Sequence, residues 1–102
     1  MTEETTTSTS AAGHYLSRQV IVASENGLHA RPAGRLAQEA QSFEASISIV
    51  SDEQVVDAKS ILDVLTLAAG PGHILELRAT GTDAEEALNR LSELFKNKFE
   101  EA

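Results

Sequence analysis

Ser24-Glu25-Asn26-Gly27-Leu28-His29-Ala30-Arg31-Pro32-Ala33 is the stretch that decides how this chain folds. Upstream, Arg18-Gln19-Val20-Ile21-Val22-Ala23 places Val20 and Val22 on one face, the period of a half-buried strand. The Asn26-Gly27 pair ordinarily favours a two-residue hairpin into a second strand. The downstream residues deny that continuation. Ala33, Leu36, Ala37, Ala40 and Phe43 recur at helical spacing and predict a helix over residues 30–42. Pro32 is compatible with its first turn, where a missing N–H leaves nothing unpaired. A strand therefore runs through a tight turn into a helix.

Beyond this helix, Ile47 and Ile49 alternate with Ser46 and Ser48, a period of two. Asp52-Glu53-Gln54 turns the chain, and Val55-Val56-Asp57-Ala58 returns as the second arm of a hairpin. Ser60 opens a short helix, with Asp63 three residues on in a pattern like a capping box. Gly70-Pro71-Gly72 ends that region. Ile74-Leu75-Glu76-Leu77-Arg78-Ala79 forms a fourth strand, with Leu75, Leu77 and Ala79 on one face. After Gly81, Thr82 or Asp83 is the expected cap of a last helix, with Glu85 or Glu86 completing a capping box and Ala87, Leu88, Leu91, Leu94 and Phe95 as its stripe. The order is β-α-β-β-α-β-α. Elements that each bury one face predict an α+β fold, an open-faced sandwich of a four-stranded antiparallel sheet with three helices on one side.

The composition bounds the activity. The chain has 102 residues, 16 acidic and 8 basic side chains, a formal charge of −8, four aromatics other than His and no cysteine. One domain is expected at this length, over residues 17–102, preceded by a Thr/Ser-rich segment over 1–16 that offers too little apolar surface to offset its ordering entropy and is expected to be a disordered tail. Absence of cysteine excludes thiolate nucleophiles and cysteine metal sites. The acidic balance opposes nucleic-acid binding, which needs clustered Lys and Arg. No apolar run is long enough for a membrane span, and with no basic stretch followed by an apolar one at the start, no secretory signal is expected.

Three histidines are candidates for chemistry: His14, His29 and His73. Neither His14 nor His73 has a histidine or cysteine three or four residues on, so a zinc site of the familiar kind is not expected. His29 differs by position. It falls at the N-cap of the first helix, where the N–H groups of Ala30 and Arg31 lack intrahelical acceptors and the helix dipole favours anions. A neutral imidazole is a nucleophile. Arg31 adds a planar donor fork for phosphate oxygens. These residues fit a phosphorylatable histidine. They also fit a plain polar cap beside a helix-starting proline.

The motif Gly27-Leu28-His29-Ala30-Arg31-Pro32-Ala33 resembles the phosphorylation-site signature of the histidine-containing phosphocarrier family, HPr, of the bacterial sugar phosphotransferase system. Ala58-Lys59-Ser60-Ile61-Leu62 resembles its second signature, around a regulatory serine. The separation of His29 from Ser60 is similar to the family's, and the resemblance spans residues 17–100. It implies the open-faced β-sandwich already read from the pattern. It also implies that His29 accepts a phosphoryl group from phospho-enzyme I and passes it to enzyme IIA, with Arg31 supporting the group and the Ala30 and Arg31 amides cradling it. Such a protein is a stoichiometric carrier rather than a true catalyst, monomeric and cytoplasmic, with no cofactor of its own. Ser60 would be the target of an HPr kinase/phosphorylase, and Gly34, Ile61, Leu62 and Leu65 would meet partners. Within the short helix, Val64 is assigned to the core, leaving Ile61 and Leu65 as the expected exposed stripe. Many family members carry lysines on the first helix; here Gln38 and Gln41 occupy that exposed face, and Asp63 adds an acid near the patch. The alternative function is a regulatory phosphorelay or a nitrogen-type paralogue, acting through protein binding and Ser60 phosphorylation.

Overall fold

The computed structural model describes residues 8–9 and 15–99. Its elements are β1 (Ser8–Thr9), β2 (Leu16–Ile21), α1 (Ala30–Gln41), β3 (Ser46–Ser51), β4 (Gln54–Asp57), α2 (Ile61–Thr66), β5 (Ile74–Thr80) and α3 (Ala84–Lys96). The strands form one antiparallel sheet in the order β1-β2-β5-β3-β4. Its four long strands and three helices keep the expected β-α-β-β-α-β-α order. The fifth strand, β1, is an addition: Ser8 and Thr9 pair with Ser17 and Leu16. It extends the edge of β2, whose outward backbone groups would otherwise lack partners. The rest of the expected 1–16 tail, residues 1–7 and 10–14, lies outside the described residues, while Leu16 already belongs to β2 and packs against the core.

Alternation places the core on one side of the sheet. Val20 and Val22, Ile47 and Ile49, Leu75, Leu77 and Ala79 are buried, while Gln19, Ile21, Ile74 and Thr80 between them are exposed. α1 lays Ala33, Leu36, Ala37 and Ala40 on this face, and α3 lays Ala87, Leu88, Leu91, Leu94 and Phe95 beside them. The small α1 residues and large α3 residues fill one aliphatic core, as the aromatic-poor composition requires.

The expected cap of α3 differs in its use. Asp83 occupies the N-cap position, but its side chain makes no capping bond. Its carboxylate accepts instead from the backbone N–H of Glu44 at 3.0 Å and of Ala45 at 2.9 Å, where the chain enters β3. The Glu44 amide is the main cause holding the Asp83 carboxyl below its ordinary range. Gly81 makes the approach possible, because a Cβ there would lie 2.9 Å from the Cα of Ala45. Asp83 thus joins the start of α3 to the start of β3.

Candidate functional site

The turn before α1 is fixed by its glycine. Gly27 has φ +73°, a left-handed conformation that disfavours a side chain, and a Cβ there would lie 2.6 Å from the carbonyl oxygen of Ala69. The next amide, that of Leu28, donates to the same oxygen at 2.9 Å. Leu28 is buried and anchors the turn in the core. The loop leaving α2 therefore sets the height at which α1 begins.

His29 is the N-cap of α1, with extended backbone angles (φ −81°, ψ −166°). Its carbonyl accepts from the Ala33 amide at 2.9 Å, the first bond of the helix. Its imidazole is exposed and makes no capping bond. The Ala30 and Arg31 amides therefore precede the first intrahelical donor, and Pro32 contributes no N–H of its own. No acidic side chain occupies the first turn of α1. An exposed imidazole, two amides pointing out of a helix start and the Arg31 guanidinium share one end of the molecule. An anion held on the imidazole would meet donors whose charge suits it.

This end is concave. A depression of ≈ 810 Å³ is lined by His29, Arg31, Pro32 and Arg35 from α1 and its cap, and by Ser24, Glu25 and Asn26 from the preceding turn. Lys98 and Phe99, just past α3, complete the rim. Sequence reasoning missed these two, together with Arg35 and Asn26. Arg35 carried a signal, being one helical turn after Arg31 on the same side of α1. Lys98 carried none, since only closure of the fold brings it to His29.

Ser60 caps α2 as expected: its Oγ accepts from the Asp63 amide at 3.2 Å. An Asp63 carboxylate oxygen lies 3.4 Å from the Asp57 amide that donates to it. Gly34 is where α1 and α2 come together, because a Cβ there would lie 3.3 Å from the Cδ1 of Ile61. The expected exposed stripe on α2 needs correction. Ile61 is exposed, but Leu65 is half-buried against the core, and the fully presented side chain is Leu62, at 72% exposure. With Val64 at the centre of the buried face, Leu62 lies roughly 160° around the helix and Leu65 only about 100°. Behind this surface, Gln41 donates to the Lys59 carbonyl at 2.9 Å and Lys59 Nζ to the Phe43 carbonyl at 2.8 Å, tying the end of α1 to the approach to α2. The other histidine in view, His73, is 3.4 Å from Ser51 Oγ at the far end of β3. Among the described residues there is no cluster of three or more potential metal ligands, and no helix is long and apolar enough to cross a membrane.

The family model for the phosphorylation site of the HPr component of the phosphotransferase system matches residues 16–97. The phosphocarrier protein HPr of Treponema pallidum is 45% identical over 84 residues, covering 82% of this chain and 96% of that protein. The phosphocarrier protein NPr of Shewanella violacea is 42% identical, covering 85% of this chain and 96% of that one. The crystal structure of HPr from Thermoanaerobacter tengcongensis superposes with a TM-score of 0.80 at 36% identity, covering 84% of this chain and 97% of that one. The chain belongs to the HPr phosphocarrier family.

Proposed function

We propose that this chain carries a phosphoryl group on His29, taking it from phospho-enzyme I and delivering it to an enzyme IIA of the sugar phosphotransferase system. The observation that carries the reading is the placement of His29: an exposed N-cap imidazole with no capping bond, above the Ala30 and Arg31 amides. A ring nitrogen of His29 attacks the phosphorus of the donor's phosphohistidine. The new P–N bond forms as the donor's breaks, and the donor imidazole leaves. The phosphoryl oxygens settle on the two amides and on Arg31, whose fork neutralises charge without a metal ion. Delivery to enzyme IIA repeats the exchange with the roles reversed. Cells would hold the carrier as a cytoplasmic monomer, free to visit each partner in turn.

Partners would dock on Ile61, Leu62 and the adjoining face around Gly34, with Leu65 supporting the patch from its half-buried position. An HPr kinase/phosphorylase would act on Ser60. A phosphate there would sit at a helix start, which favours it, but also beside Asp63 and next to the apolar patch, where it opposes docking. The second reading is a regulatory phosphorelay or nitrogen-type carrier. The NPr relative and the acidic Asp63 within the docking face favour it.

The test is incubation with enzyme I and phosphoenolpyruvate, read by intact mass and acid lability. Wild-type protein gains one acid-labile phosphoryl group. His29→Ala gains none, whereas His14→Ala and His73→Ala label normally. Acid-labile labelling of folded His29→Ala would move the carrier role elsewhere.

A further inference from the structure

The turn after α3 has a conformation that asks for a reason. Lys98 and Phe99 both adopt left-handed backbone angles, φ 58° and 59°, which residues with a Cβ rarely take. The turn is held at several points. The Phe99 amide donates to the Leu94 carbonyl at 2.8 Å, and its ring packs edge-on against buried Phe95 with centroids 4.9 Å apart. Ser24 Oγ, from the turn before His29, donates to the Lys98 carbonyl at 3.4 Å. The result is that Lys98 lines the same depression as His29.

Charge gives this placement a meaning. The chain as a whole carries −8, yet among the described residues the depression is lined by Arg31, Arg35 and Lys98 against the single acid Glu25. Arg35 is oriented by Glu39, at 3.3 Å, and the same carboxylate is shared with Arg90 of α3 at 3.0 Å. Arg35 is thus set by a carboxylate shared between the first and last helices, and Lys98 comes from the far end of the sequence. An acidic molecule has collected positive charge around one histidine.

We propose that Lys98 is a phosphate-contacting residue of the His29 site, contributed by the turn after α3 to the depression that Arg31 also lines. The inference rests on the reading of His29 as the phosphoryl carrier. A phosphohistidine bears a largely dianionic group, and its hydrolysis speeds when the imidazole is protonated. A nearby ammonium attracts an anionic donor and opposes that protonation.

The test bypasses enzyme I. Full-length wild type, Lys98→Gln, Lys98→Arg and the control Lys96→Gln are treated with phosphoramidate. The His29 imidazole nitrogen attacks phosphorus, the donor P–N bond breaks, and ammonia leaves with the imidazole proton. Labelling rate and phosphohistidine lifetime are monitored by phosphorus NMR at neutral pH. Removing one exposed charge from the lining of the same depression should slow labelling and shorten the lifetime by about threefold each for Lys98→Gln. Lys98→Arg should restore both, Lys96→Gln should match wild type, and the difference should vanish near ~1 M salt, where the screening length falls to about 3 Å. Wild-type protein that labels on His29 while Lys98→Gln behaves identically at low salt overturns the role of Lys98 alone. Wild-type protein that does not label on His29 overturns the carrier reading and this inference together.

Discussion

Replacing Gly27 with alanine should damage the fold and the histidine turn at once, by an amount that the geometry sets. Gly27 stands at φ +73°, and moving a residue with a Cβ into the left-handed region costs roughly 1–2 kcal/mol. The added Cβ would meet the Ala69 carbonyl oxygen at 2.6 Å, closer than Cβ atoms approach oxygen, and the obstacle is backbone rather than a flexible side chain. Relief requires the turn and the loop after α2 to separate. That separation stretches the bond from the Leu28 amide to the same oxygen, now 2.9 Å, worth about 0.5–1.5 kcal/mol. The two effects give a loss of about 1.5–3.5 kcal/mol, and for a domain of this size a fall in Tm of roughly 6–28 °C. Urea and thermal unfolding of the two proteins measure it. Gly70→Ala is the internal control: nothing lies within 4 Å of a Cβ there, so it should be neutral, or stabilise by up to about 1 kcal/mol through the unfolded chain. A Gly27→Ala protein within about 0.5 kcal/mol of wild type would refute the reasoning. So would a Gly70→Ala loss of equal size, since the cost would then not arise from φ and the Ala69 contact.

Asp83→Asn should lower stability at neutral pH and flatten the acid limb of the stability profile. The Asp83 carboxyl is held below its ordinary range, so its contribution is present above the unfolded value near ~3.9 and is lost as pH falls through the lower folded value. Tm measured from pH 7 down to pH 2 should converge for the two proteins at the acid end, and parallel curves would exclude this role. Leu62→Glu should leave Tm nearly unchanged, because the side chain is already 72% exposed, yet reduce kcat/KM for phosphorylation by enzyme I at least about tenfold if the patch is the docking surface. Unaltered transfer kinetics would place docking elsewhere.

The features legible in the sequence were those a short segment encodes by itself. Pro32 and the Ala33–Leu36–Ala37–Ala40 spacing define α1, and Gly27, His29 and Pro32 mark its start within one stretch of sequence, although the Ala69 carbonyl sets where that start sits. The alternation in β3 and β5 is equally local, because their partners only have to offer the same face. Where a segment was too short or its partner too far, the reading slipped. A six-residue helix holds too few apolar positions to fix its phase, so Leu65 was exchanged for Leu62 as the presented side chain. Asp83 looked like an ordinary cap, since the Glu44 and Ala45 amides that claim its carboxylate arrive only when the sheet assembles. Lys98 gave no sign at all. The half of the proposed site that would hold the anion is therefore written in consecutive residues, and its surrounding charge is written in the tertiary structure. Charge supplied this way can be altered by changes at the end of α3 that leave every residue of the histidine motif intact. A chain could thus adjust how firmly it holds a phosphoryl group without touching the residues that accept it.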